Sequence, residues 1–379
     1  MTFSKLDHEF MARAIKLAEK GQYTTTPNPN VGCVVVKNDL VIGEGWHQKA
    51  GTGHAEVNAL KNVSLEQSSG ATAYVTLEPC SHFGRTPPCA KRLVDAKVER
   101  VVVAMLDPNP LVSGNGIKLL KEAGIEVQHG LLQADARALN PGFLTRMEQK
   151  RPYIQVKLAA SLDGKTALEN GESKWITTPQ ARQDVQVHRA KSCVIVSTAQ
   201  TVITDNAKLN VRQSALPLEY PKSDTINSVR QPVRVILDGR GQIGAQDVAK
   251  LDLFSDESKV VLIRQEPTTQ FEQFDNISVV VLPYTEVTGF DLKALADWCY
   301  RQEFGIVWVE AGAKLAASFV NATLFDELIV YLAPKLMGQG SRDMLPVGPF
   351  SNMSEVKTLQ LKAFKQIGDD LKFIYKQAE

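Results

Sequence analysis

The chain has 379 residues, 44% hydrophobic and 22% charged, with a formal net charge of +1. That length exceeds one ordinary domain, and the composition is that of a globular protein with a substantial core. Near-neutrality argues against a global field that would gather nucleic acid or anionic membrane, and no apolar run approaches the roughly 20 residues of a bilayer span. The N-terminus lacks the apolar segment of a signal peptide, and five scattered cysteines fit a reducing, cytoplasmic setting better than a disulfide framework. Cys33, Cys193 and Cys299 lie in apolar segments and are expected in the core.

Along the chain, Asp7 to Lys20 places Phe10, Met11, Ala14, Ile15, Leu17 and Ala18 at helical spacing ahead of Gly21, which predicts an amphipathic helix with its stop signal. The β-branched runs 31–36, 73–77 and 100–105 predict strands of a buried sheet, and helices are expected from His54, Pro88 and Gly116. The order α-β-β-α-β-α-β predicts a layered α/β/α domain over residues 1–147. Asn140-Pro-Gly142 and the polar run 146–151 predict a linker, with a second domain over 148–379. There, strands are expected at 154–158, 193–197, 233–237, 260–263, 278–282, 307–310, 328–332 and 371–375. Helices are expected at 179–191, 292–302 and 314–320, which together predict one large, mostly parallel sheet. The Pro- and Ser-rich stretch 213–231 reads as a surface loop.

In the first domain, His54-Ala-Glu56 is followed by Pro79-Cys80 and then Cys89. Three mixed ligands leave one tetrahedral position open, whereas a structural zinc site fills all four. A Glu two residues after the His, not itself a ligand, is the general acid/base of the zinc nucleobase deaminases, whose signature is H-x-E followed by P-C-x-x-C. This chain departs from it: eight residues, Ser81 to Pro88, separate the cysteines. Pro88 suits a first helical position, and the helix N-terminus favours a thiolate at Cys89. His47 and His82 flank the motif as candidates to line its pocket; His8, His129 and His188 lack this context. In the second domain no G-x-G-x-x-G follows the first strand, so the Rossmann fingerprint is missing. Glu310-Ala-Gly-Ala-Lys-Leu-Ala-Ala-Ser318 nevertheless runs from a strand through glycine into a helix, offering backbone N–H groups to a phosphate.

The stretches Glu78-Pro-Cys-Ser-His-Phe-Gly-Arg-Thr-Pro-Pro-Cys89 and Asn28-Pro-Asn-Val-Gly-Cys33 resemble the deaminase half of the bacterial bifunctional deaminase–reductases of riboflavin biosynthesis. Lys157-Leu-Ala-Ala-Ser-Leu-Asp-Gly-Lys165, Gly171-Glu-Ser-Lys-Trp-Ile-Thr177 and Thr201-Val-Ile-Thr-Asp-Asn-Ala-Lys-Leu-Asn-Val-Arg212 are similar to the reductase half. The resemblance covers nearly the whole chain. It implies a cytidine-deaminase-like α/β/α sandwich holding one Zn2+, then a dihydrofolate-reductase-like α/β domain using NADPH. It also implies a homo-oligomer, dimer or tetramer. By the resemblance, His54, Cys80 and Cys89 hold the metal, while Glu56, Lys157 and Asp205 are catalytic. Asn28, His47 and Arg85 hold the substrate of the first site, Arg85 at a phosphate. Ser173, Arg189, Leu209, Arg212 and Glu310 hold that of the second, the two arginines as phosphate partners. The cofactor falls to Ala159, Trp175, Thr201, Asp205, Gly239 and the turn Gly312, Ala313, Lys314, Leu315, Ala316, Ala317 and Ser318. Ala207 departs from the family pattern, which has proline there.

The activity implied is zinc-dependent hydrolytic deamination of 2,5-diamino-6-(5-phosphoribosylamino)pyrimidin-4-one, then NADPH-dependent reduction of its ribosyl group to ribityl. A second reading gives the deaminase a nucleoside or RNA substrate and makes the C-terminal half a binding module. A third is a zinc-stabilised assembly protein without catalysis. Neutral charge argues against a polynucleotide partner, and the H-x-E spacing argues against a purely structural metal.

Overall fold

The computed structural model describes residues 2–81, 88–109, 113–216 and 229–378. The chain forms two compact units, Met1–Lys150 and Arg151–Glu379.

The first unit runs α1 (Lys5–Glu19), β1 (Gly32–Lys37), β2 (Leu40–Trp46), α2 (Ala55–Ala59), α3 (Leu65–Ser68) and β3 (Thr72–Val75). It continues with α4 (Cys89–Asp95), β4 (Arg100–Val103), α5 (Asn115–Glu122), β5 (Glu126–His129), α6 (Gln133–Ala138) and α7 (Pro141–Gln149). The sheet order is β2-β1-β3-β4-β5. β1 is antiparallel to both neighbours, and β3, β4 and β5 are parallel. Its two faces carry separate apolar clusters. One, with Val35, Val75, Val101 and Leu93, packs α2, α4 and α5; the other, with Met11, Val34, Tyr74 and Val102, packs α1, α6 and α7. Three layers result, as the element order predicts. Gly32 is a packing requirement, since a Cβ there would lie 1.9 Å from the Ala14 carbonyl oxygen of α1.

α1 begins at a capping box in which Ser4 and Asp7 satisfy each other's backbone N–H groups. The same Asp7 carboxylate, buried at the sheet face, accepts hydrogen bonds from Tyr74 Oη at 2.8 Å and Arg100 Nη1 at 2.8 Å. Helix start, β3 and β4 therefore share one anion. The expected linker is different in structure: most of residues 146–151 belong to α7. Pro141 stands in its first turn, where its missing N–H costs nothing, and Leu144 and Thr145 are buried. The Asn140 side chain exchanges hydrogen bonds with the backbone of Asn30, at 2.6 and 2.9 Å, so the Pro-Gly punctuation marks a docked helix start.

The second unit opens with β6 (Tyr153–Ser161), β7 (Lys165–Ala167), α8 (Pro179–Lys191), β8 (Val194–Thr198) and α9 (Ala199–Asp205). It continues with β9 (Val233–Leu237), β10 (Val260–Arg264), β11 (Ile277–Val281), β12 (Tyr284–Thr285), β13 (Gly289–Phe290) and α10 (Leu292–Arg301). Then come β14 (Ile306–Glu310), α11 (Ala313–Asn321), β15 (Glu327–Ala333), β16 (Arg342–Asp343), β17 (Leu359–Ile367) and β18 (Asp370–Gln377). Nine strands form one sheet in the order β11-β10-β9-β8-β14-β6-β15-β18-β17. The first seven are mutually parallel, and β18 and β17 close the edge antiparallel. One face buries Val156, Val196 and Val309 under α10 and α11; the other buries Ile195, Ile236 and Trp308 under α8 and α9. Cys33, Cys193 and Cys299 are all buried. Sequence periodicity does not find α9 or β17, and β17 has no buried residue to impose a pattern. Among the described residues, no helix is long and apolar enough to cross a membrane.

Replacing Asp7 by Ala uncaps α1 and removes the buried acceptor that Tyr74 and the half-buried Arg100 share, leaving Arg100 only Gln128 and Glu126 among the described residues. The expected loss is about 3 kcal/mol in the first unit, read as faster hydrogen exchange across the β3 and β4 amides of the intact chain.

Candidate functional site

In the first unit, two short helices present their N-termini to one point. His54 is the N-cap residue of α2, and Cys89 is the first residue of α4, with Pro88 one place earlier than expected, at the N-cap. Cys80 lies in the segment after β3, where its Sγ accepts the Cys89 backbone N–H at 3.3 Å. His54 Nδ1 is 3.2 Å from Cys89 Sγ and 3.6 Å from Cys80 Sγ. Among the described residues these three form a group whose ligand atoms all lie within 4.8 Å of one another.

The electrostatics follow from that crowding. A hydrogen bond from the Cys89 thiol, opposed by burial and aided by His54, draws the Cys80 thiol well below its ordinary value. The bond to Cys80 likewise raises His54. Two soft sulfur donors and one imidazole, already arranged around the protons they share, suit a zinc ion that would displace those protons. Glu56 is 3% exposed. Burial raises its carboxyl, with the Cys80 charge adding to the shift, and the Cys89 thiol hydrogen-bonds to it. A carboxyl that takes up a proton readily beside an open metal position has the properties of a proton shuttle.

His47 and Asn28 are brought to the same place. Asn28 Nδ2 is 3.2 Å from His47 Nε2, and His47 Nδ1 is 3.2 Å from the Gly53 carbonyl oxygen. Burial lowers His47, so the ring is neutral, with Nδ1 donating and Nε2 accepting. Its ring meets that of His54 edge-on at 5.4 Å between centroids. Asn58, which sequence reasoning overlooks, fixes this loop by donating to the Trp46 and Gly53 carbonyls at 2.8 and 3.0 Å. Arg85 and His82 lie outside the described residues.

In the second unit, strands β9, β8, β14 and β6 are consecutive and parallel. Gly239 follows β9, Thr201 follows β8, Gly312 follows β14, and Ala159 sits near the end of β6. These four positions therefore line the carboxyl edge of one sheet, where open α/β folds hold their ligands. Gly312 is the N-cap of α11, and a Cβ there would meet nothing within 4 Å. Its neighbours Ala313, Lys314 and Leu315 form the first turn, with backbone N–H groups suited to a phosphate. Ala316 and Ala317 instead turn into the core, and the Ser318 hydroxyl donates to the Lys314 carbonyl at 3.0 Å. Gly239 must be glycine, because a Cβ would lie 2.4 Å from the Tyr284 ring. Ser173 and Trp175 line a cleft of about 370 Å³ with Lys174, Lys335 and Met337. Trp175 is 62% exposed, far from core packing, and the Arg182 guanidinium lies 4.3 Å from its ring.

Lys157 and Glu310 are register partners on β6 and β14. Glu310 is clamped by Arg189, Nη2 to Oε1 at 2.6 Å and Nε to Oε2 at 2.9 Å, and takes a third bond from Trp308 Nε1 at 3.0 Å. Burial pushes the Glu310 carboxyl up, but Arg189, Lys157 and these hydrogen bonds outweigh it and hold the group at about 2. Burial lowers Lys157, with Glu310 opposing. Arg189 also donates to the Asn210 carbonyl at 2.9 Å, so the structure engages it with Glu310 and the backbone of the 206–212 segment. In that segment Leu209 is buried, with a left-handed φ of 52°. The Arg212 backbone N–H donates to Gln186 at 2.9 Å. Asp205, exposed at the end of α9, accepts from Lys174 Nζ through its carbonyl at 3.3 Å.

Behind Glu310 lies a network that no motif signals. His188 stacks on Trp308 at 4.7 Å and accepts from Lys372 Nζ at 2.7 Å, while Asp184 takes Lys372 Nζ at 2.6 Å and Tyr331 Oη at 2.5 Å. Its members come from α8, β14, β15 and β18, so only the Asp184/His188 pair, four apart on a helix, leaves a trace in sequence. Burial, reinforced by Lys372, lowers His188 to about 3 from 6.5. The unfolded imidazole thus binds a proton below about pH 6.5, whereas the folded one does so only near 3. Its contribution to stability is present above 6.5 and is lost as pH falls toward 3. Glu310 adds a loss between 4.5 and about 2. Thermal melts should show the second unit weakening from pH 6.5 downward, and His188→Gln should remove the part above pH 4.5.

Comparison with known proteins agrees with both units. Residues 4–105 match the cytidine and deoxycytidylate deaminase zinc-binding region, and residues 152–373 match the RibD C-terminal domain. Riboflavin biosynthesis protein RibD of Haemophilus influenzae is 48% identical over 99% of this chain and 98% of its own length. That of Escherichia coli is 44% identical over 96% and 98%. The solved structure of Acinetobacter baumannii RibD superposes with a TM-score of 0.89 at 42% identity, covering 99% of each chain. A Thermotoga maritima diaminohydroxyphosphoribosylaminopyrimidine deaminase/5-amino-6-(5-phosphoribosylamino)uracil reductase gives 0.84 at 30% identity, over 98% of this chain and 99% of its own. With a zinc deaminase unit and an NADPH-dependent reductase unit on one chain, the protein belongs to the RibD family of riboflavin biosynthesis.

Proposed function

We propose that the first unit deaminates 2,5-diamino-6-(5-phosphoribosylamino)pyrimidin-4-one and that the second reduces the ribosyl group of the product to ribityl phosphate. The observation that carries the first half is the convergence of His54, Cys80 and Cys89 beside a buried Glu56. His54, Cys80 and Cys89 would hold a zinc ion, which would supply Lewis-acid activation of the water nucleophile near neutral pH. Glu56 takes the proton of the attacking water and hands protons to the amino group that leaves as ammonia, so one carboxyl serves both halves of the substitution. Asn28 and the neutral His47 orient the base and ribose, and Arg85 meets the phosphate.

Lys157, Glu310 and Asp205 serve the sugar in the second unit. Bound NADPH supplies the hydride that reduces ribose C1. Glu310, fixed by Arg189 and Trp308, keeps a negative charge beside Lys157. Lys157, its ammonium desolvated, is suited to give a proton to the ring oxygen as the sugar opens. Ser173, Leu209 and Arg212 complete the sugar phosphate site. Ala159, Trp175, Thr201, Asp205, Gly239 and the turn Gly312–Ser318 hold the cofactor. The chain works as a cytoplasmic homo-oligomer. The exposed Leu361 and Phe364 on the outermost strand β17 support self-association, which sedimentation equilibrium tests.

Mass spectrometry of the diaminopyrimidinone substrate tests the whole reading. Without NADPH an amino group is exchanged for oxygen; with NADPH the product also gains two hydrogens. Glu56→Gln is expected to slow the exchange about 10²–10⁴-fold and leave reduction of the deaminated intermediate intact. Lys157→Met should do the reverse. Exchange at the normal rate in Glu56→Gln would overturn its role, and exchange without later reduction would return the second unit to a binding module.

A further inference from the structure

We propose that Glu78 is a positioning residue for the metal centre, holding Cys80 in place through the N-terminus of α5. The inference rests on the zinc reading above and adds a residue to which no role has been assigned. Glu78 lies two residues before Cys80, is 3% exposed, and forms no ion pair with a cation among the described residues. Its carboxylate is met by four backbone N–H groups. Oε1 accepts from Gly116 at 3.1 Å and Ile117 at 3.3 Å; Oε2 accepts from Gly114 at 3.1 Å and Asp107 at 3.2 Å. Three of these donors are the opening N–H groups of α5, which a helix cannot satisfy internally.

A helix ordinarily receives that acceptor from its own N-cap side chain. Here the N-cap is Gly114, at φ +77°, which has no side chain to offer. The acceptor comes instead from the segment that carries the metal ligand. The next residue is gripped as well: Pro79 lies so close to Gly116 that a Cβ there would be 1.9 Å from the Pro79 carbonyl oxygen. Cys80 follows at once, with its carbonyl accepting the Ala90 N–H at 3.2 Å and its sulfur the Cys89 N–H at 3.3 Å. One side of the Cys80 segment is thus fixed on α5 and the other on α4. An anion against four N–H dipoles is a strong, directional anchor. Its amide isostere cannot replace it, since an NH₂ group would face two donors.

The test uses the full chain loaded with zinc and a chromogenic chelator that reports metal release, together with the visible spectrum of the cobalt(II)-substituted protein. Glu78→Gln is expected to weaken zinc affinity about 10–100-fold, the range for removing groups that orient metal ligands, read as faster loss of zinc to the chelator, and to alter the cobalt–thiolate absorption. NADPH-dependent reduction, served by the other unit, should stay at the wild-type rate. Gly116→Ala pushes Pro79 away from α5 itself and should act in the same direction, so it decides the matter if Glu78→Gln does not fold. A folded variant that holds zinc as firmly as wild type, with an unchanged cobalt spectrum, overturns the proposal and leaves Glu78 a helix cap. A wild-type chain that takes up no metal overturns the zinc reading, and this proposal with it.

Discussion

A charge removed from water must be met by a partner placed to receive it, and this constraint organises both units. Desolvating an ion costs several kcal/mol even after relaxation, so a buried carboxylate survives only where donors are already aimed at it. Asp7 is met by Arg100 and Tyr74, Glu310 by Arg189 and Trp308, and Glu78 by the backbone of α5. Trp308 aside, which shares β14 with Glu310, the partners come from elements distant in sequence. The fold around each anion is therefore also the device that holds neighbouring segments in register.

The two sites use burial to opposite ends. In the first unit Glu56 has no Arg or Lys clamp among the described residues, and burial raises its carboxyl, which is what a group passing protons in both directions requires. In the second, Glu310 is overdetermined by positive partners and remains an anion. Lys157, its strand neighbour, moves the other way, its ammonium destabilised by desolvation. Two carboxyl groups, one in each unit, thus acquire different roles from what surrounds them.

The sheets supply the geometry. Parallel strands bring their carboxyl ends to one edge, so residues from β6, β8, β9 and β14, scattered over 150 positions, share a border without any one motif spanning them. In the first unit the equivalent service comes from helix N-termini: α2 and α4 start at the ligands, and α5 starts at the segment just before Cys80.

Much of this was legible from residues alone. Periodicity located α1, α8 and the buried strands because each has one face or a whole length in the core, and H-x-E with two cysteines identified the metal chemistry because few other uses need that spacing. The resemblance to the deaminase–reductases named the pathway and the cofactors. What sequence left open has a common physical cause. α7 reads as a linker in sequence because Asn-Pro-Gly and a charged run dominate its ends, and what shows it to be a helix is its docking, through Asn140 on Asn30 and the burial of Leu144. β17 escaped because it buries nothing. The His188–Lys372–Asp184 network and the grip of α5 on Glu78 join residues with no sequence relation, so only tertiary structure could assemble them. Sequence determined which groups were available for chemistry, since that depends on residue type and local spacing. Their protonation and orientation were decided by the fold, since those depend on what long-range packing places within about 3 Å.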